Sequence, residues 1–150
     1  LLKVVDTKSI EHKVLKNSNV PSILKTFSKN IHKKYPQRIF EISRVFNKID
    51  NEIQEHYQLT VGLAHATVNF TEASSYLNAF GKQLLDIDLS TKASENEIFV
   101  KGRAAEIIDE GGIKIGAIGE IKPHVLENFT LRTPISLFDI DLDHLMKKRI

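Results

Sequence analysis

The stretch IFVKGRAAEIIDEGGIKIGAIGEI, residues 98–121, places two β-rich runs on either side of Asp109-Glu110-Gly111-Gly112. Aspartate and glycine tolerate the positive φ that a tight reversal needs, so the two runs are expected to pair as an antiparallel hairpin. The second run then meets KPHVLENF, residues 122–129, where Pro123 opens a short helix. A glycine-spaced strand that passes through a proline into a helix often frames a ligand. The nearby side chains therefore decide what the frame is for.

Working outward, TEASSYLNAFGKQLL, residues 71–85, spaces Ala73, Tyr76, Leu77, Phe80 and Leu84 at helical intervals, with Thr71 as the expected cap. LLDIDLS, residues 84–90, alternates like a strand. Upstream, SILKTFSKNIHKKY, residues 22–35, sets Ile23, Leu24, Phe27, Ile31 and Tyr35 on one helical stripe, which Pro36 should end. RIFEISRVF, residues 38–46, follows as a strand with Phe40, Ile42 and Phe46 on one side. YQLTVGLAHATV, residues 57–68, reads as a long strand in which Gly62 and Ala64 leave room for close packing. At the other end, ISLFDIDL, residues 135–142, is a strand, and DHLMKKRI, residues 143–150, a helix capped by Asp143. Hairpin-linked strands separated by helices give an α+β domain, a mainly antiparallel sheet with helices on one face.

Composition narrows the function classes. With 150 residues the chain is long enough for one domain with a proper core. It is 41% hydrophobic and 27% charged, and contains no apolar run of the roughly 18 residues that a membrane span requires. Cysteine is absent, which removes disulfides and thiolate chemistry and points to a reducing cytoplasm. Leu1 at the start suggests a piece of a longer chain. Twenty-one basic against nineteen acidic residues leave a net charge of only +2, so any nucleic-acid contact must come from a local patch. Lys25, Lys29, Lys33, Lys34 and Arg38 form such a patch, although a solvated helix face explains them more simply.

The candidate reacting groups are sparse. The six histidines lack metal-ligand spacing, and no metal site is expected. Asp86 with Asp88, and Asp139 with Asp141 and Asp143, sit two apart and would share a strand face, as magnesium or acid–base chemistry requires. A half-exposed strand shows the same alternation with no chemistry at all. Ser74 and Ser75 lie within a helix with no activating elbow. Gly111, Gly112, Gly116 and Gly119 fall in a turn and a strand, whereas a phosphate cradle needs a loop opening a helix, so they read as turn and packing glycines.

Three stretches, VLKNSNVPSILKTFSKN (14–30), YPQRIFEISRVF (35–46) and IGAIGEIKPHVLENFTLRTPISLFDIDL (115–142), together resemble the phenylalanyl-tRNA synthetase beta subunit of the archaeal and eukaryotic type, in its carboxy-terminal catalytic-like domain. The resemblance runs from about Val4 to Leu145. Lys122 stands where that family usually has histidine, and Ser22 and Ser43 stand where glycine is common. The resemblance implies a class II synthetase core, an antiparallel sheet with flanking helices, with residues 1–150 as one catalytic-like domain of a longer chain. Active class II domains grip ATP with one arginine on an inner strand and another opening the last helix. Here the last strand and helix carry Asp139, Asp141 and Asp143, and Arg103 alone resembles a phosphate-holding position, so Arg103, Asp139 and Asp141 would mark a vestigial nucleotide site.

The implied role is therefore a non-catalytic assembly domain. It would pack against the catalytic alpha subunit in a heterotetramer, through residues 21–46 and above all Leu24, Phe27, Ile31 and Tyr35. The domain would need no cofactor of its own; ATP and magnesium would belong to the assembled enzyme, as would tRNA, for which the Lys25 to Arg38 face is a candidate contact. The rival readings are an autonomous ATP-dependent amino-acid-activating enzyme and a tRNA-binding module.

Overall fold

The computed structural model describes residues 2–3 and 14–147. The first ten residues covered by the resemblance, 4–13, and the last three of DHLMKKRI lie outside the described residues. Among the described residues six strands, β1 (Gln37–Ile49), β2 (Glu52–Ala64), β3 (Ser90–Ala93), β4 (Phe99–Ile108), β5 (Lys114–Ile121) and β6 (Ile135–Asp141), make one sheet in the order β1-β2-β6-β5-β4-β3. Every adjacent pair is antiparallel. Among the described residues four α-helices flank it: α1 (Val20–Lys29), α2 (Phe70–Ala79), α3 (Pro123–Asn128) and α4 (Leu142–Lys147). The α+β class and the antiparallel sheet expected from the sequence are present.

The β4–β5 hairpin forms where the local chemistry places it. Asp109 accepts the backbone N–H groups of Gly111 and Ile113 at 2.8 and 2.9 Å, and Gly112 takes a φ of +79°. These bonds are made within the reversal itself and hold it in place. The last strand, β6, then inserts between β2 and β5. Its first four residues, Ile135 to Phe138, are all buried, because both faces of the sheet are covered at this point.

Helices on one face is the expectation that fails. Val20, Ile23, Leu24 and Phe27 of α1 and Leu126 of α3 pack with Ala64, Ile135 and Leu137 on one side. Ala73 and Leu77 of α2 and Leu145 of α4 pack with Leu63, Ile118, Phe138 and Ile140 on the other. Residues 137 and 138 of β6 are both apolar, so each face demands a cover.

Local boundaries also shift. Helix α1 stops at Lys29, well before Pro36, because Asn30 donates to Thr26 O while Gln37 donates to Asn30 O, closing the helix end. Ile31 and Tyr35 thus lie beyond the helical stripe. The cap of α2 is Asn69, whose Oδ1 accepts the Glu72 N–H at 2.9 Å, two residues ahead of Thr71. After Ala79 the helix widens into a π turn, Phe80–Leu84, which rotates Leu84 off the buried side. Asp86 has a φ of +49° and neither it nor Asp88 is in a strand; β3 begins only at Ser90. Asp141, rather than Asp143, caps α4, accepting the His144 N–H at 2.9 Å.

Candidate functional site

At one end of the sheet, where β2, β4, β5 and β6 meet the start of α3, lies a cleft of about 920 Å³. It is the place the strand–proline–helix stretch frames. Glu120 of β5 is its electrostatic centre: Oε2 accepts from Arg103 Nη1 at 2.7 Å and Oε1 accepts the Phe70 N–H at 2.9 Å. Arg103 is mostly exposed, and its pairing with Glu120 pushes its guanidinium pKa further up. Across from Glu120 on β6 is Ser136, fully buried, with no hydrogen-bond partner for its Oγ.

On the α1 face nearer the other end, strand register aligns Glu41, Thr60, Asp139, Ala117, Glu106 and Lys92 in one row across all six strands. Asp139 Oδ1 accepts the Ala117 N–H at 3.1 Å. Burial pushes its carboxyl up to about 6, against the pull of that N–H and of Lys114 and His56. Burial also raises Glu41, but hydrogen bonds from Lys16 and Ser22 outweigh it and hold Glu41 below the usual carboxylate range. Asn19 ties this region together: it donates to Gln58 O, its N–H donates to Gln58 Oε1, and it accepts from Ser43.

Arg103 and the aspartates are not brought together. Arg103 sits beside Glu120, which pairs with Ser136, whereas Asp139 is three positions further along β6 and so projects from the opposite face. Asp141 is spent on the α4 cap, and Asp143 Oδ2 accepts the Tyr57 N–H at 3.1 Å. Among the described residues no group of three histidine, aspartate or glutamate side chains could hold a metal ion. His65 lies 2.6 Å from Glu72 and His144 2.8 Å from Asp109, each in a pair of its own. The basic patch is also divided: Lys25 and Lys29 are on α1, Lys33 and Lys34 in the following turn, and Arg38 on β1, over the Tyr76 ring.

The interface candidates separate by burial. Leu24 and Phe27 are each only 1% exposed, consumed by the chain's own core, while Ile31 and Tyr35 keep surface. A second apolar region was missed. Phe40 and Leu84, each 70% exposed, flank a groove of about 520 Å³ floored by Leu59, Val61 and Phe138. Its signal was present in RIFEISRVF, whose Phe40 and Ile42 share one side. That side faces outward because β1 is an edge strand and the helix opposite turns away at Phe80.

An all-antiparallel sheet sandwiched by short helices, with several of its carboxylates engaged in structural hydrogen bonds, defines an α+β domain. The family model for the phenylalanyl tRNA synthetase beta chain CLM domain matches residues 2–142, and the chain belongs to this family. It is 36% identical over 139 residues to the phenylalanine–tRNA ligase beta subunit of Archaeoglobus fulgidus, covering 93% of this chain and 24% of that one. The beta subunits of Thermococcus sibiricus and Methanocaldococcus jannaschii are 38% and 34% identical over 126 and 146 residues. These alignments cover 82% and 95% of this chain and 22% and 26% of the relatives. The chain thus spans about a quarter of the length of these curated relatives. None of the described helices is long and apolar enough to cross a membrane.

Proposed function

We propose that this domain is a non-catalytic packing module of a cytoplasmic phenylalanine–tRNA ligase, retaining a class II-like core and docking on the catalytic alpha subunit within a heterotetramer. The observation that carries the reading is surplus apolar surface: after the core is filled, Phe40, Ile42, Tyr76 and Leu84 still face outward along edge strand β1. Ile31 and Tyr35 add to it at the end of α1. An obligate contact of this kind buries roughly 2,000–5,000 Å².

The lack of catalysis follows from charge. A triphosphate held near Asp139 would meet a carboxylate where it needs a cation. At about 4 Å two like charges repel by about 4 kcal/mol at an effective dielectric near 20. Arg103, which resembles the inner-strand phosphate-holding position, shares its charge with Glu120 and sits away from Asp139. ATP and magnesium are accordingly assigned to the assembled enzyme, and tRNA contact to that assembly.

Mixing the chain with the alpha chain of the same enzyme and measuring the mass of the complex by sedimentation tests the proposal. A stable mixed species, with no pyrophosphate exchange by the chain alone, supports it. Separate sedimentation at micromolar concentration, or exchange activity without alpha, refutes it.

A further inference from the structure

We propose that the cleft at the β4–β5–β6 end of the sheet binds a small carboxylate with an apolar body. Its volume, about 920 Å³, lies within the ~300–1,000 Å³ range of small-molecule sites. Val68, Leu126, Leu131 and Ile135 supply apolar walls, as such sites require. Two observations then fix the polar end of the ligand.

The first is Ser136. It borders the cleft and is wholly buried, yet its Oγ has no partner. Buried hydroxyls nearly always make hydrogen bonds, and an unmet one carries a cost that a ligand oxygen would remove. The second is the cation pair. Arg103 engages Glu120 through Nη1, leaving further guanidinium donors, and Arg132 lines the same cleft with no ion pair among the described residues. A planar guanidinium matches a carboxylate in two-point geometry.

Lining charges also limit the charge of the ligand. Glu120 and Glu127 share the cleft with the two arginines, so it has no excess of positive charge to balance the several charges of a polyphosphate. One negative group on an apolar body is what remains. The site's assay requires no second chain.

The test is a titration of the isotope-labelled chain with phenylacetate, followed by amide NMR, with phenylacetamide as the uncharged control. Saturable shifts at Arg103, Ser136 and Leu131 are expected, with a dissociation constant on the order of 1 mM or tighter and the amide at least about tenfold weaker. Ser136→Ala should weaken binding by about fivefold or more without lowering the melting temperature, since it deletes an unmet polar group. Arg132→Met, at an exposed position, should weaken it by about tenfold. Shifts that never saturate or that map outside the cleft would overturn the proposal. So would equal binding of acid and amide, or variants that bind like the parent.

Discussion

The ring of Phe27 lies so close over Gly62 that a Cβ built on that glycine would come within 2.7 Å of Phe27 Cε2. This contact seats α1 on β2, and the absent side chain is what permits it. Phe27 is enclosed by the core and has little room to retreat. Gly62→Ala is therefore expected to destabilise the fold by about 1–3 kcal/mol, read from denaturant unfolding. Gly116→Ala should be worse, because its Cβ would meet the Asp139 carbonyl oxygen at 1.9 Å, and backbone cannot rotate aside. Equal stability of Gly116→Ala and the parent would show that the β5–β6 spacing is looser than this geometry.

Asp109 turns the β4–β5 hairpin and also reaches the last helix. Its Oδ1 accepts two turn N–H groups, and its Oδ2 lies 2.8 Å from His144 Nε2. Asp109→Ala leaves those groups without their acceptor and should cost about 2–4 kcal/mol, on the scale of losing several charge-assisted hydrogen bonds. Hydrogen exchange at Gly111, Ile113 and the start of α4 should accelerate together. A loss confined to the turn amides would separate the hairpin from α4.

Sequence reading succeeded where bonds are local. The 109–112 reversal depends on residues that sit within it, and the buried helix residues Ala73 and Leu77 obey their spacing. It failed where a tertiary demand overrode the pattern. LLDIDLS alternates like a strand, but Ile87 and Leu89 both pack against the α2-side core, and Asp86 turns left-handed so that the chain can leave the π turn. Asp139 looked like a solvated strand residue, yet it is half-buried and takes a backbone hydrogen bond from β5. RIFEISRVF shows that Phe40 and Ile42 share a side, but whether that side is covered depends on where a distant helix turns away, at Phe80.

Asp139 also makes a pH prediction. Its folded pKa of about 6 lies above the ordinary 3.8, so the native state holds the proton more tightly than the unfolded chain. The stabilisation is complete below pH ~4 and is lost as pH rises through about 6, the reverse of a salt-bridged carboxylate. That difference corresponds to at most about 3 kcal/mol. Asp139→Asn retains an oxygen for the Ala117 N–H and should raise stability at pH 8 by about 1–3 kcal/mol, with little change at pH 4. Unfolding free energies at the two pH values check this. An Asn variant no more stable than the parent at pH 8 would mean that the ionised carboxylate is well solvated.

Docking and folding should separate at the apolar surface. Phe40 and Leu84 are 70% exposed, so the double change Phe40→Ser with Leu84→Ser removes little buried area and should leave stability within about 0.5 kcal/mol of the parent. The same variant should lose capture of the alpha chain in sedimentation, because exposed aromatic and aliphatic anchors dominate such contacts. Leu24→Ala provides the contrast. Leu24 is enclosed within the chain, and its truncation should cost about 2–5 kcal/mol of fold stability, while whatever folded protein remains still captures alpha. If the double variant binds alpha as tightly as the parent, the groove along β1 is not the docking face. The exposed Ile31 and Tyr35 beyond α1 would then be the next apolar surface to test.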